Sequence, residues 1–173
     1  MSPDHTYTVS LKGNKERSLI LPNEVRADVF KSGQPVVSDV SLHKAWDSFD
    51  LSFESGYPDL RWVADNIVEF YRAEYFDRGA DSLLVENKVG KPIKYLRVES
   101  ENKFLMFDLQ SGALISLMIP VPRSDSQSIA IEGVLSDGTK IPLSSRSFDR
   151  RLRKQHSTYR ISVGQYGASI DAE

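Results

Sequence analysis

Apolar and polar residues alternate through the C-terminal half of this chain, and this pattern restricts its fold more than any other. From about residue 93 onward, hydrophobic side chains recur at every second position in short segments separated by turn-forming residues. A period of two is the spacing of a strand that has one face against a core. Asp137–Gly138 lies between two such segments and is a strong hairpin signal. We therefore predict an antiparallel β-meander of five or six strands, formed by Ile93–Val98, Phe104–Phe107, Ala113–Ile119, Ile129–Leu135, Lys140–Leu143 and Tyr159–Val163.

The N-terminal half predicts helices as well as a first hairpin that pairs residues 6–11 with 18–21. A long helix is predicted from Pro58 to Arg78, because proline suits the first helical position and Gly79 suits the end. The apolar face of this helix consists of Leu60, Val63, Ala64, Ile67, Tyr71 and Tyr75. A short helix is predicted over residues 38–49, where the spacing i, i+3, i+4, i+7 is filled by Leu42, Ala45, Trp46 and Phe49. Because this segment is short, a strand remains the alternative there.

Together these elements predict an α+β fold, in which a mainly antiparallel sheet packs on one long and one short helix. Strands do not alternate with helices, which argues against a parallel nucleotide-binding sheet. A chain of 173 residues is expected to form a single domain over residues 1–173. We expect a surface loop at about 120–128 and a frayed C-terminus from about residue 168. Gly164 and Gly167 bracket two residues and predict a turn near the C-terminus.

Several common chemistries are disfavoured by what the sequence lacks. It contains no cysteine, which removes disulfides, thiol catalysis and cysteine-ligated metals. Its three histidines, His5, His43 and His156, are not spaced as a metal-binding pair, and it has no Walker loop or Gly-x-Ser-x-Gly motif. We therefore expect no cofactor, no metal site and no catalytic residue. A hydrolase with paired carboxylates stays open as an alternative, with the candidate acids Asp47, Asp50, Glu54, Asp59, Glu99 and Glu101.

Localisation is predicted from the same features. No apolar run approaches the roughly 20 residues that a membrane-spanning helix needs. The first residues are polar, unlike a secretory signal or a transit peptide. Together with the absence of cysteine, this predicts a cytoplasmic protein, or one in the host-cell cytoplasm if the source is viral.

Positive charge is concentrated near the C-terminus. Positions 146 to 160 contain six basic residues and one acidic residue, Asp149, so the net charge of this window is +5. Because the whole chain has a net charge of −2, the remaining residues carry −7. Phe148 and Leu152 have the spacing i, i+4 and predict a short helical turn anchored on one side. Arginine outnumbers lysine, which suits bidentate contacts with carboxylates or phosphates. The six basic residues, called the arginine segment below, are Arg146, Arg150, Arg151, Arg153, Lys154 and Arg160.

The arginine segment predicts a non-enzymatic binding protein, such as an inhibitor, an immunity protein or an assembly module, that engages an anionic partner. Because the chain as a whole is weakly acidic, we favour an acidic protein surface over nucleic acid or an anionic membrane. A nucleic-acid- or membrane-associated structural protein, for instance a viral matrix or RNA-binding component, is the alternative. The segment could also be a solvated surface whose charges pair with this protein's own acids. An exposed edge strand such as Tyr159–Val163 could pair with a copy of itself, so the sequence is compatible with a homodimer.

Overall fold

The structure is a computed structural model that describes residues 1–13, 23–45, 59–71, 79–152 and 157–173. The regular elements within these ranges are strands and one 3-10 turn, at Arg150–Leu152. The strands are β1 (Tyr7–Gly13), β2 (Asn23–Lys31), β3 (Gln34–Ala45), β4 (Asp59–Ala64), β5 (Ile67–Tyr71), β6 (Ala80–Asn87), β7 (Ile93–Glu99), β8 (Lys103–Leu109), β9 (Leu114–Pro120), β10 (Ser126–Leu135), β11 (Lys140–Asp149), β12 (Thr158–Gly164) and β13 (Gly167–Ala172). None of the described residues forms a helix long and apolar enough to cross a lipid bilayer.

The strands form three sheets. Sheet I has the order β1-β2-β3, sheet II the order β11-β10-β7-β8-β5-β4, and sheet III the order β13-β12-β6-β9. Neighbouring strands are antiparallel except β6 and β12, which run parallel with Ser82 opposite Thr158. Sheet III therefore joins two segments that are far apart in the chain.

Sheet II is the middle of three layers and has a core on each face. The larger core lies between sheets II and III, and the smaller one lies between sheet I and the other face of sheet II. Strand β8 serves both cores: Phe104 and Met106 point into the larger one, while Leu105 and Phe107 point into the smaller one. Because side chains alternate across a strand, a run of apolar residues without polar interruption is what a strand buried on both faces requires.

The predicted α+β class is wrong, because the segment expected to form the long helix is a β-hairpin. Residues 59–71 form β4 and β5, with Asp65 and Asn66 at the turn. The apolar residues satisfy both periods, but the alternation of half-buried Leu60 and Trp62 with exposed Arg61 is that of a strand. Trp62 packs edge-on against Phe107 of β8, with ring centroids 5.9 Å apart at 85°. Packing on sheet II therefore overrides helical periodicity in a segment rich in aromatic and β-branched residues. Residues 72–78 of the predicted helix lie outside the described residues.

The predicted short helix is also wrong as far as the structure describes it. Residues 38–45 belong to β3, the strand that was its alternative, and residues 46–49 lie outside the described ranges. The first hairpin pairs β1 with β2 rather than with residues 18–21, which are likewise outside the description. The tight turn at Ser32–Gly33 then joins β2 to β3.

Five of the six strands predicted in the C-terminal half lie at nearly their predicted positions, and the sixth, predicted at Lys140–Leu143, continues to Asp149 as β11, but their order in space is not that of a meander. After β8 the chain crosses to sheet III as β9 and returns to sheet II as β10, which pairs with β7. The hairpin at Asp137–Gly138 and the turn between Gly164 and Gly167 are confirmed. Residues 167–172 form β13 where a frayed terminus was expected, and residues 121–125 connect β9 to β10. Strand β12, expected as an exposed edge, is paired on both sides.

Candidate functional site

The arginine segment is distributed over several elements and does not form one helix. The structure places its members on three of them: Arg146 on β11, Arg150 and Arg151 in the 3-10 turn, and Arg160 on β12. Arg153 and Lys154 lie outside the described residues. Phe148, predicted as a helical anchor, is a buried residue of β11 whose ring centroid lies 5.0 Å from that of Tyr159. Phe148 therefore anchors the segment to the core from a strand and not from a helix.

Arg150 is tied to the protein interior by an ion pair with Asp81 of β6. The Asp81 side chain is fully buried, and only 13% of the Arg150 side chain is exposed. Asp81 also accepts a hydrogen bond from the Ser157 N–H at 3.1 Å, and the Arg150 N–H donates to the Asp125 carbonyl at 2.8 Å. These bonds fasten the 3-10 turn to β6 and to the residue before β10, and Asp81 also holds the entry of β12. Arg150 is therefore a structural anchor of the segment.

Arg146 and Arg151 are more exposed, and each is bonded to one exposed carboxylate. Arg151 donates to Asp149 at 2.9 and 3.1 Å, and Arg146 donates to Asp171 at 2.9 Å and to the Ile170 carbonyl at 2.7 Å. Their side chains are 55% exposed for Arg146 and 70% for Arg151. The hydrogen bond between Arg151 and Asp149 raises the pKa of the arginine and lowers the pKa of the acid. Ion pairs this exposed contribute little to stability, so both guanidinium groups can exchange their partner for another anion.

Arg160 lies between two carboxylates. Its Nε donates to Glu173 at 2.6 Å, and its terminal nitrogen is 3.5 Å from Glu86. The hydrogen bond to Glu173 is the main cause that raises the pKa of Arg160. Arg160 is also opposite Asp171 in the β12–β13 register, and Asp171 is the acid that binds Arg146. Asp171 of β13 therefore neighbours both Arg146 and Arg160.

Each described member of the arginine segment is thus hydrogen-bonded to at least one carboxylate of this chain. Sequence reasoning could not name the more distant of these acids, because Asp81 lies 69 positions from Arg150 and Asp171 lies 25 positions from Arg146. Among the described members, Arg146 and Arg151 are the two that combine high exposure with hydrogen bonds to one carboxylate each.

A second polar cluster, which the sequence did not indicate, joins sheets I and II. The Tyr7 hydroxyl donates to Asp108 at 2.5 Å, and Lys31 donates to the same carboxylate oxygen at 2.9 Å while its ammonium lies 5.1 Å from the Tyr7 ring centroid. Asp108 has φ +51°, a left-handed conformation that aspartate tolerates better than most residues. These contacts connect β1, β2 and β8 across 101 positions of sequence.

The pKa shifts in this cluster follow from burial and from its hydrogen bonds. Burial, and next the hydrogen bond to Asp108, raise the pKa of Tyr7, while the hydrogen bonds with Tyr7 and Asp108 raise the pKa of Lys31. A tyrosine or lysine that acts as a base or nucleophile needs the opposite shift. Tyr7 is held protonated and Lys31 charged, so the three residues tie the sheets together.

The acids considered for hydrolytic chemistry are only partly described by the structure. Asp47, Asp50 and Glu54 lie outside the described residues, and Glu99 binds Lys103 at 2.6 Å. Within the described ranges, no group of three or more His, Cys, Asp or Glu residues could hold a metal ion. Comparison of the chain with models of protein families, with curated proteins and with solved structures finds no significant match. The candidate site therefore depends on geometry alone.

Proposed function

We propose that this protein is a non-enzymatic binding protein that engages an anionic macromolecule through the arginine segment. The observation that supports this proposal is that the described arginines differ in burial and in the contacts they make. Arg150 is bonded to a buried acid and fixes the segment, while Arg146 and Arg151 present exposed guanidinium groups on β11 and the turn that follows it. A rigidly fixed support with exposed arginines is what a preorganised anion-binding surface needs.

An acidic protein surface is the partner that we favour. Three acids lie among the arginines: Asp149, Asp171 and Glu173. Their carboxylates would repel a continuous run of phosphates. A protein partner can place single carboxylates on Arg146 and Arg151 and keep its own cations near these acids. Electrostatic complementarity of this mixed kind gives specificity more than raw affinity. We place this binding in the cytoplasm as part of the same proposal.

The test compares three probes with one pair of variants. Binding of a polyglutamate peptide, a single-stranded oligonucleotide and phosphatidylserine-containing vesicles is measured by fluorescence anisotropy or co-sedimentation at several salt concentrations. The double substitution Arg146→Gln and Arg151→Gln should weaken polyglutamate binding by about tenfold or more, since contact arginines are common hot spots. Lys91→Gln is the matched control, because Lys91 is also exposed and binds one exposed acid, Asp137, at 2.7 Å.

Each outcome of this test has a defined meaning. Loss of binding in the double variant but not in the Lys91 variant supports the proposal. Oligonucleotide binding that is tighter than polyglutamate binding and falls steeply with salt would favour the nucleic-acid alternative. If no probe binds, or if both variants lose binding equally, the arginine segment is solvated surface and the proposal is wrong.

A further inference from the structure

Strand β9 differs from the other edge strands of the described sheets in carrying no charge. The sheets have six edge strands, and natural proteins protect such edges from pairing with other chains by placing charged residues on them. Five of the six contain at least one: Lys12 on β1, Asp39 on β3, Arg61 on β4, Arg146 on β11 and Asp171 on β13. Strand β9 reads Leu-Ile-Ser-Leu-Met-Ile-Pro and has none.

The free side of β9 presents backbone hydrogen-bonding groups whose positions follow from its pairing with β6. Asn87 N–H donates to the Ala113 carbonyl at 2.9 Å, and Val121 N–H donates to the Gly79 carbonyl at 3.1 Å. Odd-numbered residues of β9 therefore direct their N–H and C=O groups toward β6. Because this direction alternates along an antiparallel strand, the groups that point away from β6 belong to Leu114, Ser116 and Met118. Among the described strands, none pairs with that side.

The same three residues form a symmetric pattern of side chains on the outer face of sheet III. Leu114 is 59% exposed and Met118 is 52% exposed, and Ser116 lies between them. An antiparallel two-fold axis at Ser116 would place Ser116 opposite its own copy and Leu114 opposite Met118 of the second chain. This register makes all three positions hydrogen-bonded pairs. It also covers both apolar side chains and brings no like charges together.

We propose that β9 pairs with β9 of a second copy of this chain, joining the two copies of sheet III into one eight-stranded sheet. Self-pairing is favoured over pairing with an unrelated strand because the pattern is its own complement under the two-fold axis. Pro120 has no N–H and ends the paired segment, so the contact is short and the dimer should dissociate on dilution. This surface is separate from the arginines proposed above to bind an anionic partner.

Sedimentation equilibrium over a concentration series tests the proposal. The wild-type mass should rise from one chain to two, while Leu114→Lys should remain at one chain throughout because it places a charge at the interface. Leu143→Lys is the matched control, since Leu143 is 65% exposed on edge strand β11. It should dimerise like the wild type, and circular dichroism checks that both variants are folded.

Cysteine cross-linking tests the register, since the chain has no cysteine of its own. Facing residues of a hydrogen-bonded pair lie about 5.5 Å apart at Cα, within the range that a disulfide spans. Ser116→Cys should therefore oxidise to a covalent dimer, whereas Ser145→Cys, on an exposed position of β11, should not. A mixture of Leu114→Cys and Met118→Cys chains should cross-link to each other more than to themselves.

Several results would overturn this inference. These are a wild-type mass of one chain at every concentration, equal loss of the dimer in both lysine variants, or equal cross-linking of Ser116→Cys and Ser145→Cys. A dimer that persists in the Leu114 variant would show that association uses another surface.

Discussion

Replacing Arg150 with Met should destabilise the protein strongly although Arg150 belongs to a surface segment rich in charge. The substitution leaves the fully buried Asp81 carboxylate with one described hydrogen bond, from Ser157 N–H at 3.1 Å. Breaking a buried ion pair on one side costs about 3–5 kcal/mol, because the remaining charge is desolvated without compensation. For a chain of this size, that corresponds to a fall in Tm of about 6–20 °C.

Thermal unfolding at neutral pH, followed by circular dichroism, measures the effect. Arg151→Met is the control: it lies next to Arg150 in the same turn, but its ion pair with Asp149 is exposed, so Tm should not change measurably. Combining Arg150→Met with Asp81→Asn removes both charges and should restore much of the lost stability.

The reasoning is refuted if Arg150→Met melts within about 2 °C of the wild type, a change that corresponds to at most about 1 kcal/mol. It is also refuted if Arg151→Met loses as much as Arg150→Met. If the prediction holds, charge reversal at Arg150 cannot serve as a test of partner binding, since it would unfold the protein. Arg146 and Arg151 are the positions at which binding and stability separate.

Three further substitutions test other contacts. Burial opposes ionisation of Asp108, but hydrogen bonds from Tyr7 and Lys31 outweigh it and lower the pKa of Asp108, so its stabilising effect is present above the unfolded-state pKa and is lost as pH falls through the folded-state pKa. Asp108→Asn should therefore make the free energy of unfolding, measured with urea, fall less steeply as pH is lowered. An unchanged dependence on pH would contradict this. Gly133→Ala should lower the free energy of unfolding by about 1–3 kcal/mol, because the added Cβ would overlap the Tyr95 carbonyl of β7. Gly164→Ala is the control, since its Cβ would meet only an ordinary contact at 3.5 Å, and equal denaturation midpoints for the two variants would count against this packing. Glu69→Gln should lower the free energy of unfolding by about 1.5–3 kcal/mol, because this fully buried carboxylate accepts charged hydrogen bonds from Arg61 at 2.5 and 2.9 Å. A guanidinium chloride midpoint equal to that of the wild type would argue against this pairing.

Most strands of the C-terminal half were predictable because one face of each packs against a core, which gives the sequence a period of two, and β8, buried on both faces, was recognisable as a short apolar run between turns. In β10, buried Ile129, Ile131 and Leu135 mark the face toward the larger core. The helix predicted over residues 58–78 failed because the apolar residues of β4 and β5 also fit a helical period. Asp65–Asn66 was the local signal that could have corrected it, since these residues favour turns between aromatic and β-branched segments.

Sheet order and the partners of the arginines could not be predicted, for a different reason. The crossing of β9 to sheet III depends on which apolar faces meet in space, and alternation within a strand does not specify its neighbour. The pairing of Arg150 with Asp81 likewise depends on the approach of β12 to β6. A concentration of positive charge indicates that partners exist, but not whether they lie within the chain.

The parallel pairing of β6 with β12 affects when this protein can fold. Ser82 must find Thr158, 76 positions later, before the middle of sheet III exists. Closing a loop of that length costs entropy that local contacts do not repay, so folding should be slow for a chain of this size. During synthesis, the apolar face of β7, β8 and β10 has no complete covering layer until residues 158–164 leave the ribosome. Nascent chains should therefore expose that face from the synthesis of β10 until β12 emerges, and in this interval they should depend on chaperones that bind extended apolar segments.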